Sequence, residues 1–128
     1  MEQKEFTQPL PIPLPNISSK DRSSAKPWIL LSPGIWELHL NGPSSSHKSV
    51  LQFWEPGAVS PTKDIVTHEY IEEVMTIEGI LRDSTLGEEW GMGAYAYRYV
   101  GMKHGLYVAG NEGCYQFVKC IPSEEAKN

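Results

Sequence analysis

The sequence has no long apolar run, no cluster of Lys or Arg, and only two cysteines in 128 residues. No segment approaches the roughly 20 apolar residues that a membrane-spanning helix needs. The first residues, MEQKEFTQ, carry charges where a signal peptide has its apolar stretch. These absences lead us to expect a cytoplasmic protein with no membrane partner. Acidic residues number 16 against 11 basic ones, so the electrostatic footprint of a nucleic-acid binder is missing and no nucleic-acid partner is expected. The cysteines stand in GCYQFVKC. On one extended strand, at about 3.3 Å per residue, Cys114 and Cys120 would lie roughly 20 Å apart, beyond disulfide reach. Free thiols packed as small hydrophobes are expected.

What is present is turn chemistry. Eleven glycines and ten prolines accompany a hydrophobic fraction of 40%, a balance suited to short strands and frequent turns rather than long helices. A chain of this length makes one domain that buries about two thirds of its unfolded surface. In PLPIPLP, proline alternates with Leu10, Ile12 and Leu14, which enforces an extended backbone. The polar NISSKDRSSAKP follows. Residues 1–27 therefore read as an extended arm and linker, either disordered or strapped over the domain or a partner subunit. The domain spans 28–122, and 123–128 is a polar tail. GIWELHL alternates Trp36, Leu38 and Leu40 with Glu37 and His39, the pattern of a half-buried strand. KSVLQFWE, EEVMTIEG, GAYAYRYV and CYQFVKC read as further strands, so the fold class is all-β, a sandwich or small barrel.

The stretch HEYIEEVMTIEGILRD sets ionisable groups at the edge of an apolar run. His68 and Glu72 are an even number of residues apart, so on a strand they share a side, with Val74 and Thr76 following in the same parity and Glu73, Met75 and Ile77 opposite. His104, in YVGMKHG, supplies a third polar group. Two histidines and one carboxylate form the facial arrangement that holds non-haem iron and leaves positions open. A hydrogen-bonded structural role for either histidine is the alternative. His39 shares a face with Glu37 and is expected to be exposed, and His47, in a serine-rich turn, is expected to face solvent. Tyr95, Tyr97 and Tyr99 recur with period two, which would suit either a pocket wall for a flat substrate or a surface stripe. Trp54 and Met92 read as core or pocket wall.

The runs PGAVSPTKDIVTHEYIEEVMTIEGILRD, GAYAYRYVGMKHG and EGCYQFVK resemble the small cupins, in particular the single-domain group related to the ChrR anti-sigma cupin and the 2,4'-dihydroxyacetophenone dioxygenases. The resemblance runs from Trp28 to Val118. It implies a jelly-roll cupin barrel in which His68, Glu72 and His104 are catalytic residues and ligands of Fe(II) or Zn(II), and in which Gly79 closes the first motif. Val66 stands where the family's first histidine would be, which leaves at most three protein ligands. Glu73 would replace Glu72 if a bulge shifted the register. With Val66, the residues Tyr70, Trp54, Tyr95, Tyr97 and Met92 are the candidate substrate-binding positions.

Three functions follow as expectations. The first is a metal-dependent oxygenase acting on a small enolisable or phenolic, polyketide-like substrate. The second is an isomerase, cyclase or decarboxylase in which Glu72 and the histidines exchange protons with little or no metal. The third is a non-catalytic ligand sensor. A homodimer is expected from the family and from exposed sheet edges that need covering.

Overall fold

The computed structural model describes residues 5–6, 28–41, 46–61, 66–67, 70–101, 103–104 and 106–122, with backbone alone at 66–67 and 103–104. Leu10, Ile12 and Leu14 of the arm, the linker, the tail and His68 lie outside the described residues.

Among the described residues every regular element is a strand, and no helix is long and apolar enough to cross a membrane. The strands are β1 (Ile29–Ser32), β2 (Ile35–His39), β3 (Lys48–Trp54), β4 (Val66–Thr67), β5 (Ile71–Asp83), β6 (Glu88–Trp90), β7 (Tyr95–Arg98), β8 (Lys103–His104) and β9 (Tyr107–Ile121). Seven of them form one antiparallel sheet in the order β1-β2-β3-β9-β5-β6, with β7 also paired to β5. β4 and β8 form a separate two-stranded ladder. The all-β expectation therefore holds.

The long strands β5 and β9 carry the architecture. β5 pairs with β9 along its whole length and slips register between Thr76 and Glu78 and again between Gly79 and Leu81. The slips mark a corner, since a bulge bends the strand that contains it. Glycine is required there. Gly79 has φ +84°, and a Cβ at that position would meet the Gly113 carbonyl oxygen at 2.1 Å. Gly113 in turn has φ +81° and presses against the Trp54 carbonyl oxygen, which a Cβ would approach to 2.6 Å. Three backbones cross where no side chain fits.

Period-two alternation then sorts the residues. Val50 pairs with Val118 and Val118 with Val74, while Gln52 pairs with Gln116 and Gln116 with Thr76. A valine row and a polar row thus run side by side across β3, β9 and β5 on the face that lines the interior. Val50, Val74 and Val118 are buried together, each contributing on the order of 1.5–3 kcal/mol. The opposite face carries Trp36, Leu38, Leu51 and Phe53, clustered with Trp28 and buried.

Two sequence expectations are corrected here. β2 is not half-buried, because its first four residues are all buried, Glu37 among them. One of its faces packs in the Trp28 cluster, and the face that carries Glu37 pairs in register with Gln52 of the inner row. Glu37 is neutralised there by Lys48 Nζ at 2.9 Å, and His39 Nε2 lies 3.1 Å from the same oxygen. His39 is exposed as expected, whereas His47 is half-buried and its carbonyl accepts a bond from the Asn41 side chain.

Candidate active site in the sheet interior

The inner face of the sheet lines a partly open cavity of about 170 Å³. Its walls include Trp54, Val74, Leu81 and Val118 on the apolar side, and Gln52, Glu72, Arg98, Tyr107 and Gln116 on the polar side. Glu72 reaches it because β5 places it in the same parity as Val74 and Thr76, while Met75 and Ile77 face outward and are exposed.

Arg98 answers Glu72. The two are register partners across β5 and β7, and Arg98 Nη1 donates to Glu72 Oε1 at 2.6 Å, with both side chains nearly buried. Arg98 Nη2 donates to the Tyr107 hydroxyl at 2.6 Å, and the guanidinium carbon lies 5.6 Å from the centre of that ring. Tyr107 is held in turn by Ser60, whose Oγ accepts from the Tyr107 amide at 2.8 Å and whose amide donates to the Tyr107 carbonyl at 2.9 Å. A carboxylate, a guanidinium and a phenol thus form one chain along the cavity wall. Burying such a charge pair is tolerated because each partner satisfies the other.

The electrostatics extend to Tyr70. Its phenol is pushed up, first by burial and then by the charge of Glu72, with Arg98 opposing. Burial raises Tyr107 as well, and Arg98 pulls it back. Both phenols stay protonated at neutral pH and can act as hydrogen-bond donors. Cys114 and Cys120 are free thiols, each pushed to about 11 chiefly by burial, so neither is a nucleophile at neutral pH.

The structure places the other sequence candidates as follows. Trp54 lines the cavity, and its Nε1 donates to Gln52 at 2.8 Å. Tyr70 is half-buried. Tyr95 and Tyr97 alternate with the inward Ala96 and Arg98 and are exposed. The Tyr95 hydroxyl donates to Glu73 at 2.5 Å, which raises its pKa to about 12. Met92 is 83% exposed and does not line this cavity. Val66 and His104 are register partners in the β4–β8 ladder, two residues before position 68. His68 lies outside the described residues.

Sequence reasoning missed Arg98 and Tyr107. The signal for Arg98 was present in GAYAYRYV, where the face opposite the tyrosines carries two alanines and then one arginine. A lone arginine on a face of small residues needs an anion. The tyrosines drew attention to the wrong face.

The donor types suit a divalent metal. Glu72 offers oxygen from the cavity wall, and the β4–β8 ladder brings position 104 beside position 66, two residues before His68. Among the described residues no three such side chains stand together to hold a metal. The guanidinium on Glu72 Oε1 is a cation already in place, with which a metal would share the carboxylate.

No protein-family model matches the chain, and no curated protein matches it either. Solved structures do. The chain is similar to a Rhodobacter sphaeroides structure of SigE in complex with the anti-sigma ChrR, with a TM-score of 0.59 and 20% identity over 73% of this chain and 48% of that one. It is similar to a sugar phosphate isomerase of the cupin superfamily from Silicibacter pomeroyi, with a TM-score of 0.54 and 25% identity over 69% and 60%. It is similar to an acetylacetone dioxygenase from Acinetobacter johnsonii, with a TM-score of 0.57 and 13% identity over 94% and 78%. The chain thus spans less than two thirds of the length of the first two. Identities this low establish the fold and leave the activity to the site.

Proposed function

We propose that this chain, a cupin by fold, is a small-molecule enzyme acting on an enolisable or phenolic substrate with neighbouring oxygens, bound in the cavity walled by Glu72, Arg98 and Tyr107. The observation that supports this reading is the Glu72–Arg98–Tyr107 chain on an otherwise largely apolar wall. With no metal bound, Glu72 takes the proton from the substrate. On doing so it loses its charge and its hold on Arg98, and the guanidinium turns its donors to the oxyanion that forms. The cavity holds one negative and one positive charge before and after the step, so no uncompensated charge appears in a medium where it would be costly. Tyr107 remains a neutral phenol bonded to Arg98.

His68, Glu72 and His104 would hold the metal, Fe(II) or Zn(II). When bound it would supply Lewis-acid activation of the substrate oxygens and, with iron, the redox partner for dioxygen, making the reaction an oxidation or oxidative cleavage. A second reading is a non-oxidative isomerase, cyclase or decarboxylase. Two observations favour it: position 66, which pairs in register with His104, is a valine, and Arg98 already neutralises Glu72.

The test combines metal analysis of untagged protein with two assays on β-dicarbonyls, hydroxyketones and phenols: oxygen uptake, and exchange of the acidic substrate hydrogen for deuterium. Exchange that falls by about 10²-fold or more in Glu72→Gln is expected. Oxygen uptake that tracks iron content identifies the oxygenase, and exchange without uptake the non-oxidative enzyme. Neither exchange nor uptake, with tight ligand binding retained, would refute the proposal and identify a binding module.

A further inference from the structure

Arg98 faces two cavities. Beyond the one containing Glu72 lies a second, of about 200 Å³, which shares Leu81, Arg98, Tyr107 and Gln116 as walls and adds Thr76, Trp90, Ala94 and Tyr95. The two differ in charge. The first holds both Glu72 and Arg98, whereas Arg98 is the one charged residue among the described walls of the second. Of its other polar groups, Gln116 Nε2 donates to Thr76 Oγ1 at 3.4 Å, the Tyr95 hydroxyl donates to Glu73 outside the cavity, and the Tyr107 hydroxyl accepts from Arg98. The remainder is aromatic or aliphatic, with Trp90, which is exposed, among the residues that line it.

We infer that the second cavity binds a planar aromatic carboxylate, its ring beside Trp90 and Tyr107 and its carboxylate on the guanidinium of Arg98. Size permits this, since about 150 Å³ suffices for a benzene ring. The charge selects it. Arg98 is 9% exposed, and of its five N–H donors two are committed, one to Glu72 and one to Tyr107. A guanidinium matches a carboxylate in shape as well as in sign. A phenol, with an ordinary pKa of about 10, is neutral at pH 7 and brings no such charge. The aromatic walls favour a flat body over a branched or sugar-like one.

A consequence follows for the first cavity. A carboxylate on Arg98 competes with Glu72 for the same cation, so the second site reports on the first. The inference rests on Arg98 as the anion-binding group of the proposed site, but it needs no turnover.

Benzoate is the probe, and tryptophan fluorescence and calorimetry are the readouts. Benzoate should bind at least tenfold more tightly than benzamide, its neutral isostere. Quenching should disappear in Trp90→Phe and persist in Trp54→Phe, because Trp54 lines only the first cavity. Ala94→Leu, which fills the second cavity, should weaken binding at least tenfold, and Glu72→Gln, which releases Arg98, should strengthen it severalfold while abolishing exchange. Equal binding of benzoate and benzamide would overturn the inference, as would quenching that follows Trp54 or no binding at millimolar benzoate. If exchange and its loss in Glu72→Gln survive in that case, the enzyme reading stands and only the second site is lost.

Discussion

Replacing both members of the Glu72–Arg98 pair, singly and together, probes the candidate site without knowledge of its substrate. The pair is held at 2.6 Å, with side-chain exposures of 14% and 11%, so each single change leaves its partner charge nearly buried and without this counter-charge. Removing one partner of a buried pair costs about 3–5 kcal/mol. The residual exposure of both groups places each of Glu72→Gln and Arg98→Met near the lower end, at roughly 3 kcal/mol. The double variant removes both charges, leaves no orphan and should cost about 1–2 kcal/mol, a coupling of some 4 kcal/mol, above the usual range for neighbours because charge is uncompensated only in the singles. At this chain length 1 kcal/mol moves Tm by about 4 °C, so each single variant should melt about 12 °C low and the double about 6 °C low. Urea denaturation at pH 7 measures this as a change in midpoint at constant slope. Additivity within about 0.5 kcal/mol, or single variants costing under 1 kcal/mol, would refute the reasoning. The carboxylate would then be solvated, and the charge-exchange step would lose its basis.

Three further predictions test other links. Gly79→Ala should cost about 3 kcal/mol or abolish soluble expression, because its left-handed backbone and the Gly113 carbonyl oxygen 2.1 Å from the new Cβ act together. Gly87→Ala, also left-handed but with open space around it, should cost only about 1–2 kcal/mol, and equal losses would remove the backbone-crossing argument. His104→Ala should eliminate divalent metal from untagged protein and His39→Ala should not, while Val66→His should tighten binding; identical metal content in all three would remove His104 from the ligand set. Cys114 titrates at about 11 in the fold against 9.0 ordinarily. Its contribution to stability is therefore fully present below pH 9 and fades as pH rises towards 11. Ellman's reagent should leave Cys114 unmodified in native protein at pH 8 and react with both thiols in urea, and rapid labelling of Cys114 in the native protein would contradict its burial.

Much of the local structure was legible because a strand has a period of two. Glu72, Val74 and Thr76 read as one face and Met75 and Ile77 as the other, and the structure places them so. The distance between Cys114 and Cys120 followed from strand rise alone. Gly79, read only as the glycine that closes the motif, proves to be a corner within β5 rather than its end. Parity states which residues share a face, but not which face turns inward. That is settled by the strands on either side. In GAYAYRYV the tyrosines formed the conspicuous face, yet pairing of β7 with β5 turns Ala96 and Arg98 towards the interior and leaves Tyr95 and Tyr97 outside. The same limit hid Glu37, which looks like the polar half of an amphipathic strand until the sheet packs on both sides of β2. The partner of Glu72 stands 26 residues away, beyond the reach of any local pattern. A buried charge finds its counter-ion through the register of two long strands and the glycine crossing that bends one of them, and this pairing exists only once the chain has closed around its interior.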